Sequence, residues 1–339
     1  MGVAATIPAG AVGIDAFDDC AYRRGYSHPS LLKPLLDRSH KTLLHRTVAT
    51  ALSDHVLSLG FIAAALLSYR HWPPLVAALV HASALLVTAR CQRGLENLAH
   101  EGSHYNWTRR RRLNDFLADG LVALPVASRV KSYRAGHALH HGRFGTGDDP
   151  DLQRYAVLAL EAVDRSSARR FVVAVARRLP AYTASWWRSI GTAWHTAVGG
   201  ALWHVCFVMV PVWLAMGAEA SIFVSGTWMA AFVLVLPVLR LIAESNEHVY
   251  SEARTVFDAT VSNLGICNRL VIHPHNDGFH TLHHLWPRVP HHQLAKLHAA
   301  LLALDPDGYG RRLRYRTKLL QRPVALSGDL AGQGRREDR

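Results

Sequence analysis

The stretch Ser221–Ala243 reads SIFVSGTWMAAFVLVLPVLRLIA and carries one charge, Arg240, in 23 residues. At ~1.5 Å per residue a helix of that length spans ~35 Å, enough to cross a ~30 Å hydrocarbon core. Three more stretches share its character: Thr47–Tyr69, Trp72–Cys91 and Ser189–Gly217. The first holds Asp54 and His55 and is the least uniform. Four such segments predict a membrane protein; buried helices of a large soluble protein would be shorter and more mixed.

The connections give the topology. Arg70 and His71 alone separate the first pair of segments, and Ala218, Glu219 and Ala220 the second. Each pair therefore reads as a helical hairpin. The long segment 101–188 is rich in arginine, including the run Arg109–Arg112. By the positive-inside rule it faces the cytoplasm, and an even number of crossings puts both termini there too. The expected fold is an all-α membrane protein: two transmembrane hairpins, a helical cytoplasmic cap, an N-terminal segment over 1–46 and a partly disordered tail over 301–339.

Composition agrees. Half of the 339 residues are hydrophobic, yet 38 are Lys or Arg and the formal charge is +13. Apolar and basic segments must alternate, which suits an anionic membrane surface. No aromatic-interleaved basic repeat or zinc-finger spacing is present, so nucleic acid is not an expected partner. The four cysteines, Cys20, Cys91, Cys206 and Cys267, are far apart, which excludes a disulfide scaffold or a thiolate zinc site.

Histidine is the other signal. Of 22 histidines, many fall into three motifs. HEGSH gives His100 and His104, HALHH gives His137, His140 and His141, and HTLHH gives His280, His283 and His284. Residues at i, i+3 and i+4 share a helix face, so two or three imidazoles can converge without backbone distortion. Eight nitrogens exceed what one ion takes, so the count predicts two metals. His248, just past the fourth apolar segment, is a natural ninth donor on an extension of that helix. A carboxylate-bridged design needs two Glu-x-x-His motifs, and only Glu101–His104 is present. His273, His275, His291, His292 and His298 read as flanking residues. His55, His81, His195 and His204 read as helix-packing residues; a haem there would need paired axial ligands.

The three motifs, with the flanks LNDFLADG, YRAGHALHHGRFGTGDDPDL and NDGFHTLHHLWPRVP, resemble the integral-membrane fatty acid desaturase superfamily, which also contains hydroxylases. The likeness covers roughly residues 47–300. It implies two iron ions held by His100, His104, His137, His140, His141, His280, His283 and His284, with O2 as co-substrate. Electrons would come from a ferredoxin or cytochrome b5-type donor; none is fused here, so the donor is expected to be a separate protein. Hydrogen would be removed from an unactivated C–H bond of a fatty acyl or lipid-like chain, presented as a lipid, a CoA ester or on a carrier protein. Desaturation is the first expectation and hydroxylation of a lipid or secondary-metabolite chain the second. A non-catalytic membrane metal or haem carrier is the rival from another class. The family's extra histidine before the third box falls on Ser245 by strict alignment of RLIAESNEH, so a three-residue shift to His248 is expected. Asn276 is the candidate for a contact through water.

Ligating imidazoles need their second ring nitrogen held by an acceptor. Glu101, Asp149, Glu244, Glu247 and Asp277 are the foremost candidates, with Asp148, Asp149 and Asp151 equally able to cap turns around Pro150. Tyr133 and Arg134 precede the second box and could orient it or touch substrate. Arg109 and Arg110 are expected at anionic headgroups.

Overall fold

The computed structural model describes residues 22–251 and 253–325. Four helices are long and apolar enough to cross a membrane: α2 (Leu44–His71), α3 (Pro74–Ser103), α8 (Trp194–Met216) and α9 (Ala218–Glu244). A short helix α1 (Lys33–Ser39) precedes them. Between the two hairpins lie α4 (Arg111–Ala118), α5 (Val130–Gly142), α6 (Pro150–Leu158) and α7 (Ala168–Thr192). After α9 come α10 (His280–Leu285) and α11 (His291–Leu304).

The hairpin turns are tight for local reasons. Trp72 and Pro73 join α2 to α3, and Pro74 begins α3, where its missing N–H costs nothing. Gly217 alone joins α8 to α9, at a φ of 88° that a side chain would resist. Helices α8 and α9 each widen to a π-turn, at Val205–Met209 and Ala231–Val235. Pro211 and Pro237 follow these turns; a proline removes one ladder donor, and the wider turn absorbs the mismatch.

Most of the membrane-length surface faces outward. Only 17% of the most apolar window of α8 is buried, against 50% for α9, so α9 is the packed helix and α8 the lipid-facing one. Leu75, Leu79, Phe207, Leu214 and Ile222 lie on that outer surface. A soluble protein could not leave so much of it bare.

Three expectations change. The third membrane segment begins at Trp194, because Ser189–Thr192 belong to α7 and the helix is interrupted at Ala193 (φ −108°, ψ 41°). The second segment does not end at Cys91. Helix α3 runs 30 residues, about 45 Å at 1.5 Å each, so its last turns stand beyond the hydrocarbon and carry the first histidine box. His248 is not on an extension of α9, which ends at Glu244; it lies in a bridge to Thr260.

Two cores result. The larger lies among the membrane helices and α5–α7. The smaller joins Tyr26, Leu32 and Leu36 of the N-terminal segment to Phe257, Phe279, Trp286 and Leu297. Residues before α2 therefore pack under the cap; the initial residues 1–21 lie outside the described ones. A small sheet departs from the all-helical expectation: β1 (Ser262–Asn263) pairs with β2 (Arg314–Arg316), which pairs with β3 (Val324–Ala325). Part of the tail is thus ordered against the cap. The stretch SGDLAGQGRREDR, expected to be disordered, lies outside the described residues.

Candidate metal centre

Helix α3 delivers His100 in its last turn and His104 at its C-cap. Helix α5 delivers His137, His140 and His141, and α10 delivers His280, His283 and His284. The segment after α9 adds His248. The nine rings form two adjoining groups.

In the first group the ligating atoms of His100, His104, His137, His141 and His283 lie within 4.8 Å of one another. His137 Nε2 is 2.8 Å from Nε2 of His100, 2.8 Å from that of His104 and 3.1 Å from that of His141. His283 Nε2 is 2.9 Å from His100 and 3.0 Å from His141. The second group contains His140, His248, His280 and His284. Its Nε2 separations are 3.3 Å (His140–His284), 3.2 Å (His248–His280) and 3.1 Å (His280–His284). The rings of His141 and His284 stack at 4.5 Å where the groups meet.

A neutral imidazole nitrogen offers one proton or one lone pair. His137 Nε2 cannot satisfy three neighbouring Nε2 atoms with one proton, so hydrogen bonding does not account for the convergence. The outward nitrogens bear on this. His140 Nδ1 donates to Asp149 at 2.8 Å, and His100 Nδ1 faces Asp277 at 3.5 Å. A proton on Nδ1 leaves Nε2 bare. Burial, then the neighbouring imidazoles, hold His104, His137, His141, His248, His283 and His284 well below the ordinary histidine pKa. Burial likewise depresses His280. Burial pushes His140 down, but the Asp151 charge and the bond to Asp149 raise it overall, so a bound cation would take the place of a proton there. The converging nitrogens are a donor set that fits two imidazole-bound cations.

The acidic candidates divide. Asp149 both receives His140 and caps α6 through Asp151 N at 2.9 Å, so the two roles expected of it coexist. Asp277 sits between His100 and His273, with Arg93 at 3.2 Å. Burial pushes its carboxyl up, but the hydrogen bonds from His100 and His273 and the Arg93 charge bring it well below the carboxylate range. Glu247 lies beside His248 and His280, and burial with the Asp277 charge raises it well above that range. Glu244 faces away from the imidazoles, bonded to Tyr182 at 2.8 Å and Arg154 at 2.9 Å. Glu101 is buried and accepts from His291 N at 2.7 Å and Asn106 at 3.2 Å, so it caps α11.

Tyr133 stacks on His137 with centroids 5.2 Å apart. Arg134 grips the end of α3 through Ser103 O (2.8 Å) and Gly102 O (3.1 Å), pairs with Asp115 and covers Tyr105. It orients the first box. Arg109 is likewise committed, to the carbonyls of Tyr105, His40 and Arg288 and to Asn106, which takes it out of headgroup contact; Arg110 stays exposed. Asn276 gives its amide to His291 O at 3.0 Å. Ser245 turns away from the imidazoles, its hydroxyl donating to Ile242 O and receiving Arg165. In the membrane, His55 bonds to Leu121 O and His81 to Tyr69 and Thr227, the packing roles expected of them.

Sequence reasoning passed over Arg93, Arg165, Arg316 and Tyr155. Arg165 and Arg316 bind the turn at Ser245 and Asn246, and Tyr155 OH receives His248 N at 3.1 Å, so these three set where His248 points. Arg93 had a signal: it stands seven residues before His100, on the same face of α3.

A cavity of about 490 Å³ reaches both groups, touching His100, His137, His140 and His280. Its walls include Val126, Trp186 and Ile190, but also Arg93, Arg154 and Arg240 with Glu96, Glu244 and Glu247. Arg240 pairs with Glu96, Arg154 with Glu244, and Arg93 with Glu96, Glu247 and Asp277.

Four membrane-length helices that present two adjoining histidine groups define a membrane protein with a histidine-rich centre able to hold metal. The chain matches the family model described as fatty acid desaturase over residues 43–317, and it belongs to that family. The family is one of oxidoreductases acting on lipid chains, and the match runs past the span of 47–300 read from the sequence. No individual curated protein matches the chain.

Proposed function

We propose that this protein is a di-iron, O2-dependent desaturase of a fatty acyl or lipid-like chain. The observation that carries the reading is the convergence of nine Nε2 atoms in two adjoining groups at the wall of one cavity. His100, His104, His137, His141 and His283 would hold one iron, and His140, His248, His280 and His284 the other. Two reduced irons would supply the reaction of O2 that removes hydrogen from an unactivated C–H bond. The protein's own part is positional. Asp149 and Asp277 fix ring tautomers, Arg134 fixes the first box, and Tyr133 stands at the cavity wall beside His137. Electrons would come from a separate ferredoxin or cytochrome b5-type protein. The active site and both termini would face the cytoplasm, as the arginine-rich segment 101–188 supports.

Hydroxylation is the second reading, and one observation favours it. A plain hydrocarbon lying against Arg93, Arg154 and Arg240 and their carboxylates would strip them of water at a cost. A chain with polar groups near the reacting carbon would not.

Incubation of the purified protein with a reducing system, O2 and candidate chains, followed by mass spectrometry, separates the two. Loss of two hydrogens marks desaturation, and gain of one oxygen marks hydroxylation. Metal analysis tests the centre: two irons per chain, reduced in His283→Ala, are expected. One haem, or variable zinc, would instead mark a non-catalytic carrier.

A further inference from the structure

The two histidine groups are unequal. The first has five nitrogens and the second four, and two carboxylates that the imidazole count does not use stand beside the second: Glu247 next to His248 and His280, and Asp151 next to His140. We propose that Asp151 is an oxygen donor to the second metal position, reaching it from the cavity side. The proposal rests on the nine histidines being iron ligands.

The geometry is specific to one nitrogen. Asp151 Oδ2 lies 3.5 Å from His140 Nε2, the atom that faces the second group. His140 Nδ1 is already taken by Asp149 at 2.8 Å. The two acids thus straddle one ring, one on each nitrogen. Their placement has a single origin: Asp149 caps α6, Pro150 starts it, and Asp151 follows in the first turn. The cap that holds His140 therefore also sets where Asp151 points.

Charge pairing separates Asp151 from the other acids of the cavity. Glu96, Glu244, Glu247 and Asp277 each have a guanidinium within ion-pairing distance. Among the described residues Asp151 pairs with no Arg or Lys; its one partner is His140. Its side chain keeps 43% of its surface open, and it lines the cavity with His140 and His280. No guanidinium or ammonium of the described residues lies within ion-pairing distance of this carboxylate, Arg154 acting on it only from farther off, and imidazoles bring a metal cation no negative charge. A divalent ion among His140, His248, His280 and His284 would answer both needs. An acid in a helix's first turn is favoured by the helix dipole wherever it points. That accounts for an acid at this position, but not for one turned toward His140 Nε2.

The test uses the full-length protein in detergent, loaded anaerobically with 57Fe(II). Iron per chain, Mössbauer spectra and the rate of iron loss to a chelator are compared for wild type, Asp151→Ala, Asp151→Asn and Asp151→Glu. The expected result is two irons in distinct sites in wild type. In Asp151→Ala one quadrupole doublet alone should shift, and that iron should leave ~10–100-fold faster, as when a ligand's support is lost. Asp151→Glu should restore most of the wild-type behaviour. The nearly isosteric Asp151→Asn carries the test should the alanine variant fold poorly. Unchanged spectra and release rates in both variants would overturn the role of Asp151 while leaving the di-iron centre in place. Wild type without two irons would overturn the centre itself, and the proposal with it.

Discussion

Asp149 shows how much one buried residue can hold. Its Oδ1 accepts from His140 Nδ1 and from Asp151 N, and its Oδ2 accepts from Gly145 N at 2.9 Å. Removal would free the His140 tautomer, uncap α6 and leave a buried donor unpaired. Asp149→Ala should weaken metal retention ~10–100-fold and lower stability by ~1 kcal/mol or more through the lost cap. Asp149→Asn keeps an acceptor oxygen and should cost far less. Competition with a graded series of chelators, alongside thermal unfolding, measures both. The nine histidines were legible because spacing alone puts them on shared faces. The posts of Arg109 and Arg134 were not: their partners are carbonyls at His40, Gly102, Ser103 and Arg288, reached only once the chain has folded. A basic run in sequence looks the same whether it meets lipid or backbone.

At the scale of elements, the first hairpin is fastened to the third box by a buried polar clasp. Asp54 of α2 pairs with Arg90 of α3 at 2.5 Å and with His275 at 2.6 Å. Gly94 leaves the room for it: a methyl group there would run into the Asp54 carboxylate and lie 2.7 Å from His275 Nε2. Gly94→Ala should therefore destabilise the fold by ~1–3 kcal/mol, as overpacking does, although alanine is the better helix former. A fall in melting temperature and in monodisperse yield is the expected reading; an unchanged melting temperature would show that the clasp gives way freely. Asp54 explains itself here too. In the sequence it weakened the first membrane segment, whereas in the fold it is paired. Glu101 is a similar case, since the sequence places it inside a histidine box and the fold uses it to cap α11. Hydropathy gave the number of membrane helices correctly but their ends poorly. The end of α3 and the start of α8 depend on capping and a break in the helix at Ala193, not on apolar content.

For the molecule as a whole, the outline was legible because a membrane imposes it, while the charged cavity was not. Its walls come from α3 and α5 through α10, and no local pattern announces such a meeting. Acid should undo the cap in a defined direction. His298, buried against Phe279 and bonded to Tyr309 at 2.9 Å, is pushed down to about 4 by burial, with the Arg269 charge adding. His292 is likewise pushed down to about 4, and His291 to about 3. The unfolded chain takes up these protons near pH 6.5 and the folded chain does not. Stability should then be full above about pH 6.5 and decline as pH falls toward 4. Thermal unfolding between pH 7.5 and 4.5 should show that slope, and His298→Gln should make it shallower. Metal removal acts on the same balance from another side. Without cations, nine desolvated nitrogens face one another at 2.8–3.3 Å with more lone pairs than protons to share. They come from α3, α5, α10 and the segment after α9, so most of their repulsion acts between elements; only His137–His141 in α5 and His280–His284 in α10 face each other within one. Chelated protein should melt several degrees lower and exchange amide protons faster in α5 and α10 than in α2. Fe(II) at ~100 times its dissociation constant should restore ~2.7 kcal/mol per site. A chelated protein that melts unchanged would mean that the cap holds these imidazoles together without metal.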